Sequence, residues 1–260
     1  MPRFAANLTL MFTEAPFLER FARAAAAGFE AVEYLFPYDH PPEAIAEALA
    51  RNRLTQALFN LPPGDWAAGE RGLACDSTRL AEVMAGVERA MPWVRATGVR
   101  RLHLMAGLGD RSDLAHVAAY RRAVARVADR LAADGLELTI EPINRRDMPG
   151  YFLDDFDFAA DLLAELGRPN LRLQFDVYHR QTLAGDVLRA LRRFLPIIGH
   201  VQIASVPERA EPMTGELADA RLFTELDRLG YAGFVGCEYR PAGTTEAGLG
   251  WFAPWRRAPG

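Results

Sequence analysis

YRRAVARVADRLAADGLELTIEPIN, residues 120–144, holds one unit of the pattern that decides the fold. In its first part apolar residues recur at the 3.6-residue spacing of a helix, and residues 136–144 form a short strand-like run. Gly135 separates the two parts, where a helix commonly ends in the left-handed backbone conformation that glycine tolerates best. The stretch therefore predicts a capped helix that is followed directly by a strand.

The same unit recurs about eight times along the chain. Gly28, Gly98 and Gly230 precede other strand-like runs in the same way. The predicted strands are residues 4–12, 29–36, 54–61, 99–107, 136–144, 171–179, 198–206 and 233–241. The clearest helical segments are residues 16–28, 41–52, 120–135 and 156–167.

Strict alternation of strands and helices indicates a parallel α/β fold, either a doubly wound sheet or a (β/α)8 TIM barrel. No GxGxxG motif follows the first strand, so the dinucleotide-binding form of the doubly wound sheet loses its main support. The chain has 260 residues, which is enough for one large core. We therefore predict a single TIM-barrel domain over residues 1–260.

Charge and hydropathy exclude several classes of partner. The net charge of -4 gives no basic surface for nucleic acid, and no window approaches the roughly 18 to 20 apolar residues that span a bilayer. The first residues lack the apolar region of a secretion signal. We expect a cytoplasmic protein with neither nucleic acid nor a membrane as partner. The sequence does not fix the oligomeric state, and a homo-oligomer is compatible with it.

Two residue types exclude whole classes of chemistry. All 30 basic residues are arginine, so neither a Schiff-base lysine nor a P-loop lysine is present. Cys75 and Cys237 are far apart and lack CxxC spacing, which predicts neither a disulfide framework nor a thiolate zinc site.

Oxygen-bearing side chains stand near the ends of the last four predicted strands. They are Glu141, Asp176, Gln202 and Glu238. Because side chains alternate between the two faces of a strand, placing these four inward also places Thr139, Gln174, His200 and Gly236 inward. The opposite face is then apolar, as a helix-covered surface requires, with Leu138, Ile140, Leu173, Phe175, Val201, Ile203, Val235 and Cys237.

These four side chains predict a metal site. Neighbouring strands lie about 4.8 Å apart, and active sites of such barrels lie at the carboxyl ends of the strands. Three carboxylates packed together repel one another unless a cation holds them. Oxygen ligands suit a hard divalent ion, so we expect Mg²⁺ or Mn²⁺. A single carboxylate at one strand end, by contrast, would be interpreted as an ion-pair partner or a helix cap.

Several residues around these strand ends are candidates for substrate binding. His179 either binds a substrate oxygen or forms a hydrogen bond at the rim, whereas His103 and His200 are expected to be satisfied interior histidines. Arg209 and Arg240 either pair with the carboxylate of a small acid or lie in solvent. The loop at residues 60–72, which contains Trp66, is either a lid over the site or an ordinary surface loop.

The chain resembles the hydroxypyruvate isomerase family over nearly its whole length. The segments that carry the resemblance are GCEYRPAGTTEAGLGW (236–251), HVQIASVPERAEPMTGE (200–216), LQFDVYH (173–179), FNLPPGDWAAGERG (59–72) and HLMAG (103–107). The resemblance implies a xylose isomerase-like TIM barrel with a divalent metal, usually Mg²⁺. It implies that Glu141 and Glu238 donate and accept protons, and that Asp176 and Gln202 complete the metal shell.

The resemblance also implies an activity in carbohydrate metabolism. Members of the family interconvert hydroxypyruvate and tartronate semialdehyde, and related members act as 2-oxo-tetronate isomerases. Ketose 3-epimerases resemble the chain less, because they carry histidine where Gln202 stands. The sequence leaves open which small hydroxy-keto acid is the substrate and which glutamate acts first. A non-catalytic sugar-acid binding barrel with the same metal shell is the alternative from another class.

Overall fold

Eight parallel strands close into a barrel in the computed structural model, which describes residues 1–256. Each strand pairs with its neighbour in the chain, and β1 pairs with β8 to complete the ring. The strands are β1 Arg3–Asn7, β2 Ala31–Tyr34, β3 Thr55–Asn60, β4 Arg101–His103, β5 Glu137–Ile140, β6 Leu171–Asp176, β7 Ile198–Ile203 and β8 Phe234–Cys237. The predicted (β/α)8 architecture is confirmed.

Helices connect the strands on the outside of the barrel. They are α1 Phe17–Ala26, α2 Pro42–Asn52, α3 Leu80–Thr97, α4 Leu114–Ala132, α5 Phe156–Leu166, α6 Val177–Ala184, α7 Val187–Phe194, α8 Asp219–Arg228 and α9 Thr245–Gly248. Short 3-10 turns cover Leu195–Ile197 and Leu249–Trp255. Within residues 1–256 no helix is long and apolar enough to cross a membrane.

Glycine ends the predicted helical segments as the sequence indicates. Gly98 follows α3 with φ 70°, and Gly135 lies between α4 and β5 with φ 65°. Gly28 and Gly230 also have positive φ. A residue with a Cβ is strained in this backbone conformation, so glycine lets each helix turn into the next strand within one or two residues.

The alternation of side chains along the strands is also confirmed. Leu138, Ile140, Leu173 and Phe175 are fully buried in the layer between strands and helices. Thr139, Gln174, His200 and Gln202 lie inside the barrel, where they form buried hydrogen bonds with one another or with Glu33. The polar interior therefore lies beneath the carboxyl ends of the strands.

One boundary differs from the prediction in a way that matters for the site. The strand predicted over residues 171–179 ends at Asp176, and α6 begins at Val177. The side chain of Asp176 caps this helix, because its Oδ1 accepts a 2.7 Å hydrogen bond from the backbone N–H of Tyr178. Its second oxygen, Oδ2, has no hydrogen-bond partner among the described residues.

Candidate active site

A cavity of about 600 Å³ opens at the carboxyl ends of the strands. Six of the seven predicted site residues line it: Glu141, His179, Gln202, Arg209, Glu238 and Arg240. The seventh, Asp176, is fully buried beside them, with Oδ2 3.6 Å from Nε2 of His179. The barrel thus brings together side chains that are spread over about a hundred residues of sequence.

Glu141, Asp176 and His179 form the tightest cluster of potential metal ligands. One ligand atom from each lies within 4.8 Å of the other two. Oε1 of Glu141 and Oδ2 of Asp176 are buried without hydrogen-bond partners in residues 1–256. A buried, unpaired carboxylate oxygen is costly, and a divalent cation bound between the two oxygens would remove that cost. The donors present therefore fit a hard cation.

Glu238 faces the same region but is held by an arginine. Nη2 of Arg209 lies 3.1 Å from Oε1 of Glu238 and 3.9 Å from Oδ2 of Asp176. Burial disfavours the charge on Arg209, but the carboxylates of Glu238 and Asp176 outweigh burial and raise its pKa. Arg209 is therefore a permanent positive charge beside the predicted metal ligands.

Burial raises the pKa of three carboxyl groups in the site. The pKa of Glu141 lies well above its ordinary value, because the group is removed from water and the charges of Glu238 and Asp176 add to the effect. Burial raises the pKa of Glu238 to about 8 and that of Asp176 to about 6, with Arg209 opposing both shifts. Without a cation, Glu238 holds its proton at pH 7, whereas Asp176 has mostly lost its own. A pair of glutamates with raised pKa values suits acid/base chemistry near neutral pH.

The hydrogen bonds of His179 assign its tautomer. Its Nδ1 faces two donors of Asn144, the side-chain amide at 2.8 Å and the backbone N–H at 3.3 Å. The side-chain oxygen of Asn144 accepts from the backbone N–H of Asp147, which fixes the other side of the amide as the donor. Burial lowers the pKa of His179 well below its usual value, so the ring is neutral. Nε2 therefore carries the proton, and His179 is better suited to donate to a substrate oxygen than to bind a metal.

A buried chain of hydrogen bonds fixes the side chain of Gln202. Its Nε2 donates to Oε1 of Glu33 over 2.8 Å, and its Oε1 accepts from Nε2 of Gln174 over 2.7 Å. Oε1 of Gln174 in turn accepts from the hydroxyl of Thr139. Because a carboxylate only accepts, Glu33 sets the orientation of the Gln202 amide and leaves a second lone pair on its oxygen.

Glu33 is a central residue of the site that we did not predict from the sequence. It is fully buried on β2 and contacts His200, whose Nε2 lies 2.6 Å from its Oε2, and Asn7, whose amide donates over 3.1 Å. The signal that could have found it is a carboxylate between apolar residues in FEAVEYLF (29–36). Gly236 gives it room, since a Cβ there would lie 2.5 Å from Cδ of Glu33.

The two interior histidines differ. The expectation for His200 is met at one ring nitrogen only: its Nε2 contacts Glu33, whereas its Nδ1 is buried without a hydrogen-bond partner among the described residues. The expectation for His103 is wrong: neither ring nitrogen has a hydrogen-bond partner within residues 1–256, and its Nε2 lies 3.8 Å from Oε2 of Glu141 in the cavity wall. Burial lowers the pKa of His103 to about 3, so the ring is neutral.

The remaining candidates lie at the rim of the cavity. The side chain of Arg240 is exposed, and its backbone N–H donates to the carbonyl of Arg209 over 2.8 Å. Trp66, from the loop at residues 60–72, lines the cavity and packs edge-on against Phe36. The loop therefore borders the site, and its closure as a lid stays a prediction.

Comparisons with known proteins agree with the barrel fold. The profile of the family described as xylose isomerase-like TIM barrel matches residues 21–255. The chain belongs to this family. The 2-oxo-tetronate isomerase of Cupriavidus necator is 51% identical over 98% of this chain and 99% of its own length. The hydroxypyruvate isomerase of Escherichia coli is 42% identical over 98% of this chain and 100% of its own.

One solved structure of a similar protein carries a name other than isomerase. A structure titled AP endonuclease, family 2, from Brucella melitensis is 49% identical, covers 99% of this chain and 100% of its own, and has a TM-score of 0.96. The curated relatives match along the same length and are isomerases. This member of the xylose isomerase-like family is an isomerase.

Proposed function

We propose that this isomerase interconverts hydroxypyruvate and tartronate semialdehyde through an enediolate. The observation that carries the proposal is the pair Glu141 and Glu238, a buried and a partly buried carboxyl group with raised pKa values that line one cavity. Both residues follow strand ends, and the charge of Glu238 helps to raise the pKa of Glu141. Such a pair suits the movement of a proton between adjacent carbons.

The chemistry balances without an external oxidant. One glutamate removes a proton from C3 of hydroxypyruvate, and a proton returns to C2, while the hydroxyl proton moves from the oxygen on C3 to the oxygen on C2. The products of these steps are an aldehyde at C3 and an alcohol at C2, with no net loss of atoms or electrons. In this proposal the Nε2–H of His179 donates to one of the substrate oxygens, which its tautomer and its position beside Asp176 support.

The residues that would hold a divalent ion, Mg²⁺ or Mn²⁺, are Glu141, Asp176, Gln202 and Glu238. Such an ion would stabilise the negative charge that develops on the two substrate oxygens. The unpaired oxygens of Glu141 and Asp176 and the fixed carbonyl of Gln202 support this assignment. Arg209 adds a fixed positive charge at the same place.

A four-carbon substrate is the second candidate. The relative from C. necator is named 2-oxo-tetronate isomerase, and a cavity of about 600 Å³ has room for one more hydroxymethylene group. The same two glutamates would move the proton in both reactions. Incubation of the Mg²⁺- or Mn²⁺-loaded enzyme with each acid, followed by NMR spectroscopy, gives the ratio of kcat/KM that decides between them.

Deuterium exchange separates an isomerase from its competitors. A proton-transfer isomerase incorporates deuterium from heavy water into the carbon-bound positions of its substrate. A sugar-acid binding barrel does not, and a ketose 3-epimerase exchanges only the proton on the inverted carbon without moving the carbonyl. Absence of exchange with every hydroxy-keto acid, in metal-loaded protein, would contradict the proposed function.

A further inference from the structure

The guanidinium group of Arg71 borders the cavity and has hydrogen-bond donors without partners among the described residues. Arg71 lies in the loop between β3 and α3, is partly buried, and lines the same cavity as Glu141 and Glu238. Its Nη1 donates to the backbone carbonyls of Trp66 and Glu70 over 3.1 and 2.7 Å. Nε and Nη2 make no hydrogen bond to any described residue, and no carboxylate in residues 1–256 forms an ion pair with Arg71.

Two other arginines that line the cavity, the partly buried Arg209 and the exposed Arg146, are already engaged. Arg209 pairs with Glu238 at 3.1 Å and with Asp147 at 3.5 Å. Arg146 donates to the hydroxyl of Tyr178 over 2.8 Å and lies 3.6 Å from Asp147. An anionic ligand would have to compete with these carboxylates for either guanidinium group. No such competition arises at Arg71.

The loop holds Arg71 in place. The carbonyl of Arg71 accepts a 3.1 Å hydrogen bond from the backbone N–H of Gly107, and Gly72 forms a bridge to Ala106. Gly72 has φ 105°, and a Cβ on it would lie 2.6 Å from the carbonyl carbon of Met105. The ring of Trp66 lies 4.0 Å below the guanidinium group. Little conformational entropy is then lost when a ligand binds, which favours affinity.

We propose that Arg71 is the residue that binds the carboxylate of the substrate. The free Nε and Nη2 donors form one edge of the planar guanidinium, which matches the two oxygens of a carboxylate in a bidentate pair. The substrate then lies with its carboxylate toward the loop between β3 and α3 and its reacting carbons toward β5 and β8. This inference rests on the proposed function, and it assigns to Arg71 the role that the sequence suggested for Arg209 or Arg240.

The test compares Arg71→Met with Arg79→Met and Arg209→Met. Each variant is assayed with an acidic substrate and with a neutral one. The neutral substrate is dihydroxyacetone, in which a hydroxymethyl group replaces the carboxylate of hydroxypyruvate. We expect kcat/KM for hydroxypyruvate to fall about 30-fold or more, mainly through KM, while that for dihydroxyacetone changes little. Arg79→Met is the matched control, because Arg79 ties the same loop through Glu70 at 2.6 Å but does not line the cavity. It should affect both substrates equally.

A binding measurement keeps the inference separate from the proposed function. Tartronate, a hydroxy dicarboxylate that cannot isomerise, is titrated calorimetrically into Mn²⁺-loaded protein. We expect Arg71→Met to weaken its binding about 30-fold or more and Arg79→Met to leave it nearly unchanged. If the protein turns over no hydroxy-keto acid but this difference holds, the proposed function fails and the carboxylate site stands. Equal losses in Arg71→Met and Arg79→Met, or a selective loss in Arg209→Met alone, would overturn the inference.

Discussion

Glu33 and Gln202 are joined by a 2.8 Å hydrogen bond between two strands, β2 and β7, that do not pair with each other. The bond lies inside the barrel, where both side chains are buried. Since the Glu33 carboxylate accepts from the Gln202 amide, the amide nitrogen points to Glu33 and the oxygen points away from it. A residue remote in sequence thus orients a predicted metal ligand.

We predict that Glu33→Gln weakens metal binding more than it destabilises the fold. The new amide can accept at one atom only, so Gln202 is no longer held in one orientation. Loss of such an outer hydrogen bond commonly costs about 10- to 100-fold in metal affinity. Calorimetric titration with Mn²⁺ measures the loss, with the exposed Glu19→Gln on α1 as the control. Unchanged Mn²⁺ affinity in Glu33→Gln would show that Glu33 does not position Gln202 for metal binding.

Glu141→Gln and Glu238→Gln should each fold normally and lose most turnover. Glutamine retains an oxygen for a ligand but cannot accept or release the proton. General acid/base catalysis commonly contributes about 10²- to 10⁴-fold, so kcat should fall by that factor. Steady-state rates and deuterium exchange check the loss, and thermal unfolding checks the fold. Near-native turnover in either variant with metal bound would show that the substituted glutamate is not a catalytic acid or base.

Removal of divalent metal should abolish activity, and Mg²⁺ or Mn²⁺ should restore it. The carboxylates of Glu141 and Asp176 each have an unpaired buried oxygen that a cation would satisfy. Prolonged chelation, desalting and metal analysis give the starting sample, and activity is then measured as each ion is added back. Full activity in a sample with no detectable metal would contradict the assigned site.

The stability of the metal-free protein should fall as pH rises from about 6.5 to 8. The folded pKa values of Glu238 and Asp176, about 8 and about 6, lie above the ordinary values of 4.5 and 3.8. At these two groups the folded state binds more protons than the unfolded state, so their contribution is fully present below the unfolded values and is lost as pH rises through about 6 to 8. The buried rings of His103 and His179, whose pKa values are lowered from 6.5, act in the opposite direction below that pH, so the net fall is expected above it. Thermal unfolding at several pH values measures the slope.

Two controls define this pH effect. Glu238→Gln should reduce the slope, since it removes one titrating group without changing the size of the side chain. Saturating Mn²⁺ should also reduce it, because a bound cation replaces the protons. A transition temperature that is flat between pH 6.5 and 8 in metal-free wild-type protein would contradict the raised pKa of Glu238.

The sequence predicted the fold and the strand-end residues because both depend on local patterns. Helical spacing, glycine ends and the two-residue alternation of a strand fix which side chains face inward. Pairing between distant strands is not local, and this is why Glu33 was missed: its partners His200 and Gln202 follow it by more than 160 residues. The unsatisfied ring of His103 was mispredicted for the same reason, since its environment depends on Glu141.

Gly236 sets a condition for rebuilding this site in another barrel. The predicted ligands at the carboxyl ends of β5 to β8 could be grafted onto another barrel, but the Glu33 carboxylate occupies the space that a side chain at residue 236 would need. Even alanine there would push the carboxylate away from Gln202 and His200. A designer would therefore have to transfer residues 33 and 236 together, and a change at one position would be tolerated only with a compensating change at the other.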